Sequence, residues 1–161
     1  MSPQPARHRP VLPRPTVALL DPRPGETWVD ATVGAGGHTR LLADRVGPTG
    51  RIVGLDQDPT MLDRARDGLA GLPVTLVHAN FDQLTAALGR LGIAEIDGLL
   101  ADLGFASEQV DAADRGLSFQ QDGPLDMRLD PTAGESAADL VARLSEYDLA
   151  KIFYEYGEER H

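Results

Sequence analysis

Asp30-Ala31-Thr32-Val33-Gly34-Ala35-Gly36-Gly37-His38 decides how this chain is read. Thr27 to Val33 is a short strand that runs directly into the glycines. Thr39 to Val46 then has helical spacing and stops at Gly47-Pro48. Glycines at a strand-to-helix turn let the backbone approach a ligand that a Cβ would exclude, and the start of the helix offers free N–H groups. Alone, such a cluster is as well explained as a plain turn.

The next strand, Arg51 to Asp56, sharpens the reading. It ends on an acid 20 residues after Gly36, the spacing at which a carboxylate meets the ribose of a nucleotide bound at the glycines. The structural alternative is that Asp56 caps the following helix. Asp58-Pro59 already supplies that cap, with Asp at the cap position and Pro in the first turn. A dinucleotide turn reads GxGxxG, but here Thr39 occupies the third glycine position. A Walker A lysine followed by Ser or Thr is absent. Both points favour an adenosine ligand without a diphosphate. Asp30 either meets a cationic end of such a ligand or caps the end of its strand.

Working outward, a helix runs from Pro59 to about Leu69 and ends at Gly71. A third strand spans Val74 to His78, a helix runs from about Phe81 to Leu91, and a fourth strand spans Ile96 to Asp102. Strands alternating with helices of this length predict parallel βαβ units, an α/β class. Asn80-Phe81 reads either as a ring packed on an adenine or as a core residue opening a helix. Asp102 follows Leu99-Leu100-Ala101 and lies beyond the carboxyl end of its strand, where open α/β sheets bind ligands. It is the candidate catalytic residue, the alternative being a cap on the turn that follows.

The flanks differ in character. Residues 1–25, rich in Pro and Arg, read as an extended N-terminal arm. From Leu103 to Gly134 there is no clear periodicity, and the stretch from Gly104 to Asp130 reads as a functional loop, a lid or acceptor-site segment, or else as a plain structural connector. Asp122, Asp126, Arg128 and Asp130 are expected to pair among themselves; their spacing does not match a calcium loop. Helix resumes at Ser136, and Ser145-Glu146-Tyr147-Asp148 has the form of a capping box. Leu149, Ile152, Phe153 and Tyr156 then share one helical face that nothing in the remaining sequence covers. Four strands also make a small sheet for this architecture, so the chain reads as a fragment.

At 42% hydrophobic and 25% charged residues, the composition is that of a globular domain. It contains no apolar run long enough for a membrane span. The N-terminus lacks the apolar stretch of a secretory signal. With no cysteine, disulfide and thiolate chemistry are excluded, and a cytoplasmic location is expected. Residues 1–91 are nearly neutral, with 10 basic and 9 acidic side chains; residues 92–161 carry 5 and 16. Acidity of that kind opposes binding to a phosphate backbone.

The chain resembles the MraW family, ribosomal RNA small subunit methyltransferase H of bacteria. The match runs from His8-Arg9-Pro10-Val11-Leu12 to Tyr156-Gly157-Glu158-Glu159-Arg160. Its most specific block is Arg115-Gly116-Leu117-Ser118-Phe119 followed by Asp122-Gly123-Pro124-Leu125-Asp126-Met127-Arg128-Leu129-Asp130. Val29-Asp30-Ala31-Thr32, Gly36-Gly37-His38, Asp56-Gln57-Asp58-Pro59 and Asp97-Gly98 follow in family order.

The resemblance implies a Rossmann-like, S-adenosylmethionine-dependent methyltransferase fold. It also implies N4-methylation of a cytidine in 16S ribosomal RNA, with that RNA or the small ribosomal subunit as partner. Cofactor contacts carry over to Gly36, Gly37, His38, Asp56, Phe81, Asp102 and Gln109, and no metal is implied. Residues 26–110 become the cofactor-binding domain, and 111–161 the acceptor-site loop and start of a helical insert. The sequence departs from the family at Phe105-Ala106, where Val-Ser is usual, beside the expected acceptor pocket. Family members are about twice this length, so much of the RNA-facing basic surface belongs to the part not present. The Arg7, Arg9 and Arg14 arm adds basic charge or is simply solvated. Competing readings are a cofactor-binding but inactive fragment and a small-molecule methyltransferase, which would suit the acidic surface. An NAD-dependent oxidoreductase is disfavoured by the glycine spacing.

Overall fold

The structure, a computed structural model, describes residues 10–160. They form two compact units that divide after Ala106.

The first unit is built on a four-stranded parallel sheet of β1 (Thr27–Asp30), β2 (Arg51–Asp56), β3 (Val74–His78) and β4 (Gly98–Leu100). The spatial order is β3-β2-β1-β4. Three helices connect the strands: α2 (Gly37–Val46), α3 (Pro59–Gly68) and α4 (Leu84–Arg90). A 3-10 turn, Phe81–Gln83, precedes α4.

Both sheet faces are covered, and this explains the apolar runs in the sequence. Trp28 and Ile52 point to one face and pack with Leu42, Ala43 and Val46 of α2. Their neighbours Val29 and Val53 point to the other and pack with Ala87 of α4. Val33 packs with Leu62, Ala65 and Leu69, which α3 and its end supply. Leu42, Ile52 and Leu55 have no exposed surface. Each such side chain contributes about 1.5–3 kcal/mol of hydrophobic stabilisation.

The order 3-2-1-4 places a switch point between β1 and β4. The chain leaves β1 toward β2 on one side and returns to β4 on the other. At such a point the connections diverge and leave a crevice beyond the carboxyl ends of the strands. The ends of β1, β2 and β4 are therefore where a ligand site is built.

Several boundaries differ from the sequence reading. β2 and β3 run as predicted. β1 stops at Asp30 and β4 spans only Gly98–Leu100. Pairing ends there: the N–H of Ala31 makes one last bond to the Leu100 carbonyl at 2.8 Å, and beyond it the chain turns into the site. The arm is not extended throughout, since α1 occupies Pro13–Leu20. Pro13 and Pro15 lie in its first turn, where a missing N–H costs nothing, and Val17 is buried. Arg7 and Arg9 lie outside the described residues.

The second unit contains α5 (Ser107–Asp111), a 3-10 turn at Ala113–Arg115, α6 (Ala137–Arg143) and α7 (Glu146–Tyr156). The segment read as a loop is tied down by its own polar groups. Arg128 donates from Nε and Nη2 to the two oxygens of Asp126, at 2.9 and 2.6 Å. The Arg115 guanidinium donates to the carbonyls of Arg128 and Leu129. Asp130 accepts from the backbone N–H and the hydroxyl of Thr132. The complete capping box forms at Ser136 and Asp139, before α6. At Ser145 the hydroxyl accepts the Asp148 N–H at 3.2 Å and donates to the Asp148 carboxylate at 2.6 Å. Ile152, Phe153 and Tyr156 on α7 are exposed, as their uncovered face predicts.

Candidate active site at the carboxyl edge of the sheet

The glycine turn is shaped by contacts on both sides. Gly36 sits in the left-handed region, φ +87°, as the residue preceding α2. A Cβ there would lie 3.1 Å from Leu69 Cδ1 and 3.4 Å from Ala65 Cβ. Its missing side chain thus brings α3 close, in addition to permitting the turn. Gly37 faces the other way, and a Cβ on it would lie 2.9 Å from Pro10 Cγ. At Gly34, φ +52°, a Cβ would meet nothing within 4 Å, so this part of the turn borders open space.

Asp30 and Asp56 flank the turn in different states. Asp30 is fully buried. Its carboxylate accepts the Thr39 hydroxyl at 2.6 Å and the Thr32 N–H at 3.1 Å. Burial pushes its carboxyl above the ordinary value, against the pull of those two donors. Of the two readings of Asp30, the structure supports the internal one: it braces the strand end against α2.

Asp56 is only partly buried. One oxygen accepts the Gly34 N–H at 2.7 Å and the other the Asp58 N–H at 2.9 Å. Burial raises its carboxyl as well, with the Asp58 and Gly34 amides opposing. Each carboxylate oxygen can accept more than one donor, so both retain capacity for ligand hydroxyls. Asp58 is the helix cap that the sequence predicts, accepting the Thr60 N–H at 2.9 Å.

Beside Asp56, the Gln57 side chain accepts from Asn80 at 2.8 Å and ties the end of β3 to that of β2. Asn80 also accepts the Asp82 N–H, which starts the 3-10 turn. Phe81 is thereby held at the edge with 48% of its surface exposed. Of its two readings, the core one does not hold; the ring is free to meet a flat ligand.

Asp102 lies on the other side of β1. Its backbone N–H donates to the Thr32 hydroxyl at 2.7 Å. Its carboxylate stands 3.5 Å from Nδ1 of His38, which is buried, and the acid keeps 41% of its side chain exposed. His38 Nε2 lies 3.0 Å from the Val11 carbonyl. Neither spacing nor periodicity in the sequence signals this contact of the N-terminal segment with the site.

The structure thus gathers Gly34, Gly36, Gly37, His38, Asp56, Phe81 and Asp102 along one edge of the first unit. Gln109 lies on α5 of the other unit and is buried. The loops forming the edge, 30–39, 56–59, 78–82 and 101–105, contain four aspartates besides Asp82 and no lysine or arginine. Such an edge repels a diphosphate and suits a neutral or cationic nucleoside. Among the described residues, no group of three His, Asp or Glu side chains is placed to hold a metal ion. No helix among them is long and apolar enough to cross a membrane.

Comparison with known proteins agrees with this picture. The sheet and its helices are similar to a SAM-dependent O-methyltransferase of Thermotoga maritima, with a TM-score of 0.50 at 24% identity, over 60% of this chain and 37% of that one. At that identity the likeness concerns the fold, which is that of the Rossmann-like methyltransferases. Ribosomal RNA small subunit methyltransferase H of Syntrophotalea carbinolica is 51% identical over 96% of this chain and 50% of its own length. The protein of the same name from Halorhodospira halophila is 53% identical over 96% of this chain and 48% of its own. The chain therefore spans about half the length of these curated relatives. The model of the MraW methylase family matches residues 5–161, and this chain belongs to that family.

Proposed function

We propose that the carboxyl edge of the sheet binds S-adenosylmethionine and that the protein carrying it methylates ribosomal RNA of the small subunit. The observation that carries the reading is the pairing of two acids across β1. Asp56 ends β2, where the neighbouring Gln57 is bonded to Asn80, the residue before the half-exposed Phe81, and Asp102 stands open to solvent at the β1/β4 switch point. The first pair suits an adenosine, with ring on base and carboxylate on ribose. The second suits the reacting end.

The residues present fit the group. The edge has no basic residue for a phosphate. The open space at Gly34 leaves room along the turn, and the acids favour the positive charge of a sulfonium and an ammonium. When bound, this cofactor supplies an electrophilic methyl carbon.

The finer reading is methyl transfer to N4 of a cytidine in 16S ribosomal RNA. In that transfer the N–C bond forms as the S–C bond breaks, and one N4 hydrogen leaves as a proton. The cytosine amine is a weak nucleophile because its lone pair is delocalised into the ring. In this reading Asp102 accepts an N4 hydrogen, which enriches the nitrogen and aligns it, or else holds the cofactor from the same place. Such alignment supplies several kcal/mol of barrier reduction, on the order of the gains known for oriented reactants. The base has to leave its stack to reach the edge.

Calorimetric titration with S-adenosylmethionine, with NAD as control, tests the binding site. Saturable binding of the first alone is the expected result; binding of NAD alone would sink the reading. Methyl transfer is followed by mass spectrometry of 16S RNA. For Asp102→Asn we expect loss of transfer at little-changed cofactor affinity. Near-normal transfer by that variant would remove Asp102 from the acceptor role.

A further inference from the structure

The two nitrogens of the His38 ring have different partners, and both partners belong to the site's frame. The ring is buried, with 6% of its surface exposed. Nε2 lies 3.0 Å from the Val11 carbonyl oxygen, which only accepts, so Nε2 carries a proton. Nδ1 lies 3.5 Å from one carboxylate oxygen of Asp102. A ring protonated at both nitrogens presents an N–H to each partner. Asp102 is fixed at a second point by the Thr32 hydroxyl, which accepts its backbone N–H. The acid is thus oriented from behind and open in front, while the imidazole has almost no surface with which to touch a ligand.

The anchor on the far side of the ring is itself seated. Pro10 packs directly over Gly37, so closely that a Cβ there would intrude on its ring. The segment Pro10-Val11, the His38 ring and the Asp102 carboxylate form a continuous line from the N-terminal segment to the open acid.

We propose that the His38 ring is a positioning group that orients Asp102 from an anchor on Val11, which leaves the cofactor contact that the resemblance gives this residue to its backbone in the first turn of α2. The proposal rests on the methyltransferase reading for what Asp102 does, but not for the geometry of the pair.

Two substitutions separate the ring's two contacts. His38→Asn keeps a donor near the position of Nδ1, toward Asp102, and loses the reach to Val11. His38→Gln keeps a donor near Nε2, toward Val11, and loses the one facing Asp102. With 16S RNA as substrate, the rate at saturating S-adenosylmethionine should fall least for His38→Asn. It should fall about tenfold or more for His38→Gln, a typical cost of a small displacement of an aligned group. Cofactor affinity, read by calorimetry, should stay within about twofold of the parent in both. A loss of affinity in both variants, with the saturated rate kept, would make the His38 ring a cofactor contact and overturn the proposal.

A second readout needs no turnover. In nitrogen NMR of the histidine rings, Asp102→Asn should move the His38 Nδ1 resonance and leave Nε2 in place; an unmoved Nδ1 overturns the pairing. If the parent protein transfers no methyl group to RNA, the functional reading fails, and the ring resonances still decide the His38–Asp102 pair.

Discussion

The Thr39 hydroxyl donates to the Asp30 carboxylate at 2.6 Å, and neither residue has any exposed surface. The bond joins the last residue of β1 to the first turn of α2 and so holds the glycine turn at both ends. Thr39→Val removes the donor and leaves a buried carboxylate oxygen unsatisfied, at a cost of about 1–3 kcal/mol. Denaturant unfolding followed by Trp28, the only tryptophan of the chain and a buried one, measures this directly. The pH dependence has a definite sign. Burial raises the Asp30 carboxyl above 3.8, so its contribution to stability is full below that value and is lost as pH rises through the folded one. Relative to Asp30→Asn, the parent should gain stability on acidification through the carboxylate range. A pH-independent difference would contradict this.

Asp56 offers the opposite linkage toward a ligand. The charged form accepts ribose hydroxyls more strongly than the neutral one, and burial raises its carboxyl. Cofactor affinity should therefore weaken on acidification at a pH above the ordinary carboxylate value of 3.8. Asp56→Asn should weaken binding by about 1.5–3 kcal/mol, the range for hydrogen bonds to a charged group. Calorimetry between neutral pH and pH ~4, close to the unperturbed carboxylate value, shows either a decline in the parent or a flat affinity. A flat profile would remove Asp56 from the ligand.

Gly36 and Gly37 should fail in different ways when replaced by alanine. Gly36→Ala forces a Cβ onto a left-handed residue and against Leu69. It should cost about 1–2 kcal/mol from the backbone alone, read from Trp28 unfolding. Gly37→Ala meets no such backbone strain but displaces Pro10. Its expected signature is faster amide exchange in the Pro13–Leu20 helix and little change in the sheet. Equal losses of sheet stability in both variants would contradict this division.

In the second unit, the Arg128 guanidinium holds the Asp126 carboxyl down to about 2, from an ordinary 3.8. A depressed carboxyl contributes stability that is present above the ordinary value and lost as pH falls through the folded one. Asp126→Asn should therefore destabilise residues 107–161 at neutral pH, and the difference from the parent should shrink between pH 3.8 and about 2. The three tyrosines of the chain, Tyr147, Tyr154 and Tyr156, all lie in this unit. Their signal reports on it separately from Trp28. A difference that persists undiminished at pH ~2, where this carboxyl is about half protonated, would argue against the ion pair.

Much of the fold was legible in local patterns. The runs at Arg51–Asp56 and Val74–His78 became strands at those limits, because apolar stretches bounded by turn residues have few alternatives in a two-sided sheet. Asp58-Pro59 announced a helix start by a mechanism confined to three residues. Readings that depended on distant partners fared differently. The prolines near the N-terminus suggested an extended arm, but burial of Val17 draws Pro13–Leu20 into a helix. The capping box formed in full at Ser136-Asp139 instead of Ser145-Asp148. The two sites share a pattern, and geometry settled which one closes both bonds.

The candidate site divides along the same line. From the sequence by itself came the glycine turn, the acid 20 residues on at the end of β2, Asp56, and the acid beyond the end of β4, Asp102. These are periodic or fixed-offset features, and the chain's local connectivity carries them. The tertiary structure decided what each group faces. It turned Asp30 inward to Thr39, left Phe81 half exposed, spent Gly36 on α3 and Gly37 on Pro10, and set the His38 ring between Val11 and Asp102. Val11 and His38 are 27 residues apart, and His38 and Asp102 lie on different sides of the switch point. Contacts of that kind come from the packing of whole elements, where burial and an available partner determine each side chain's role.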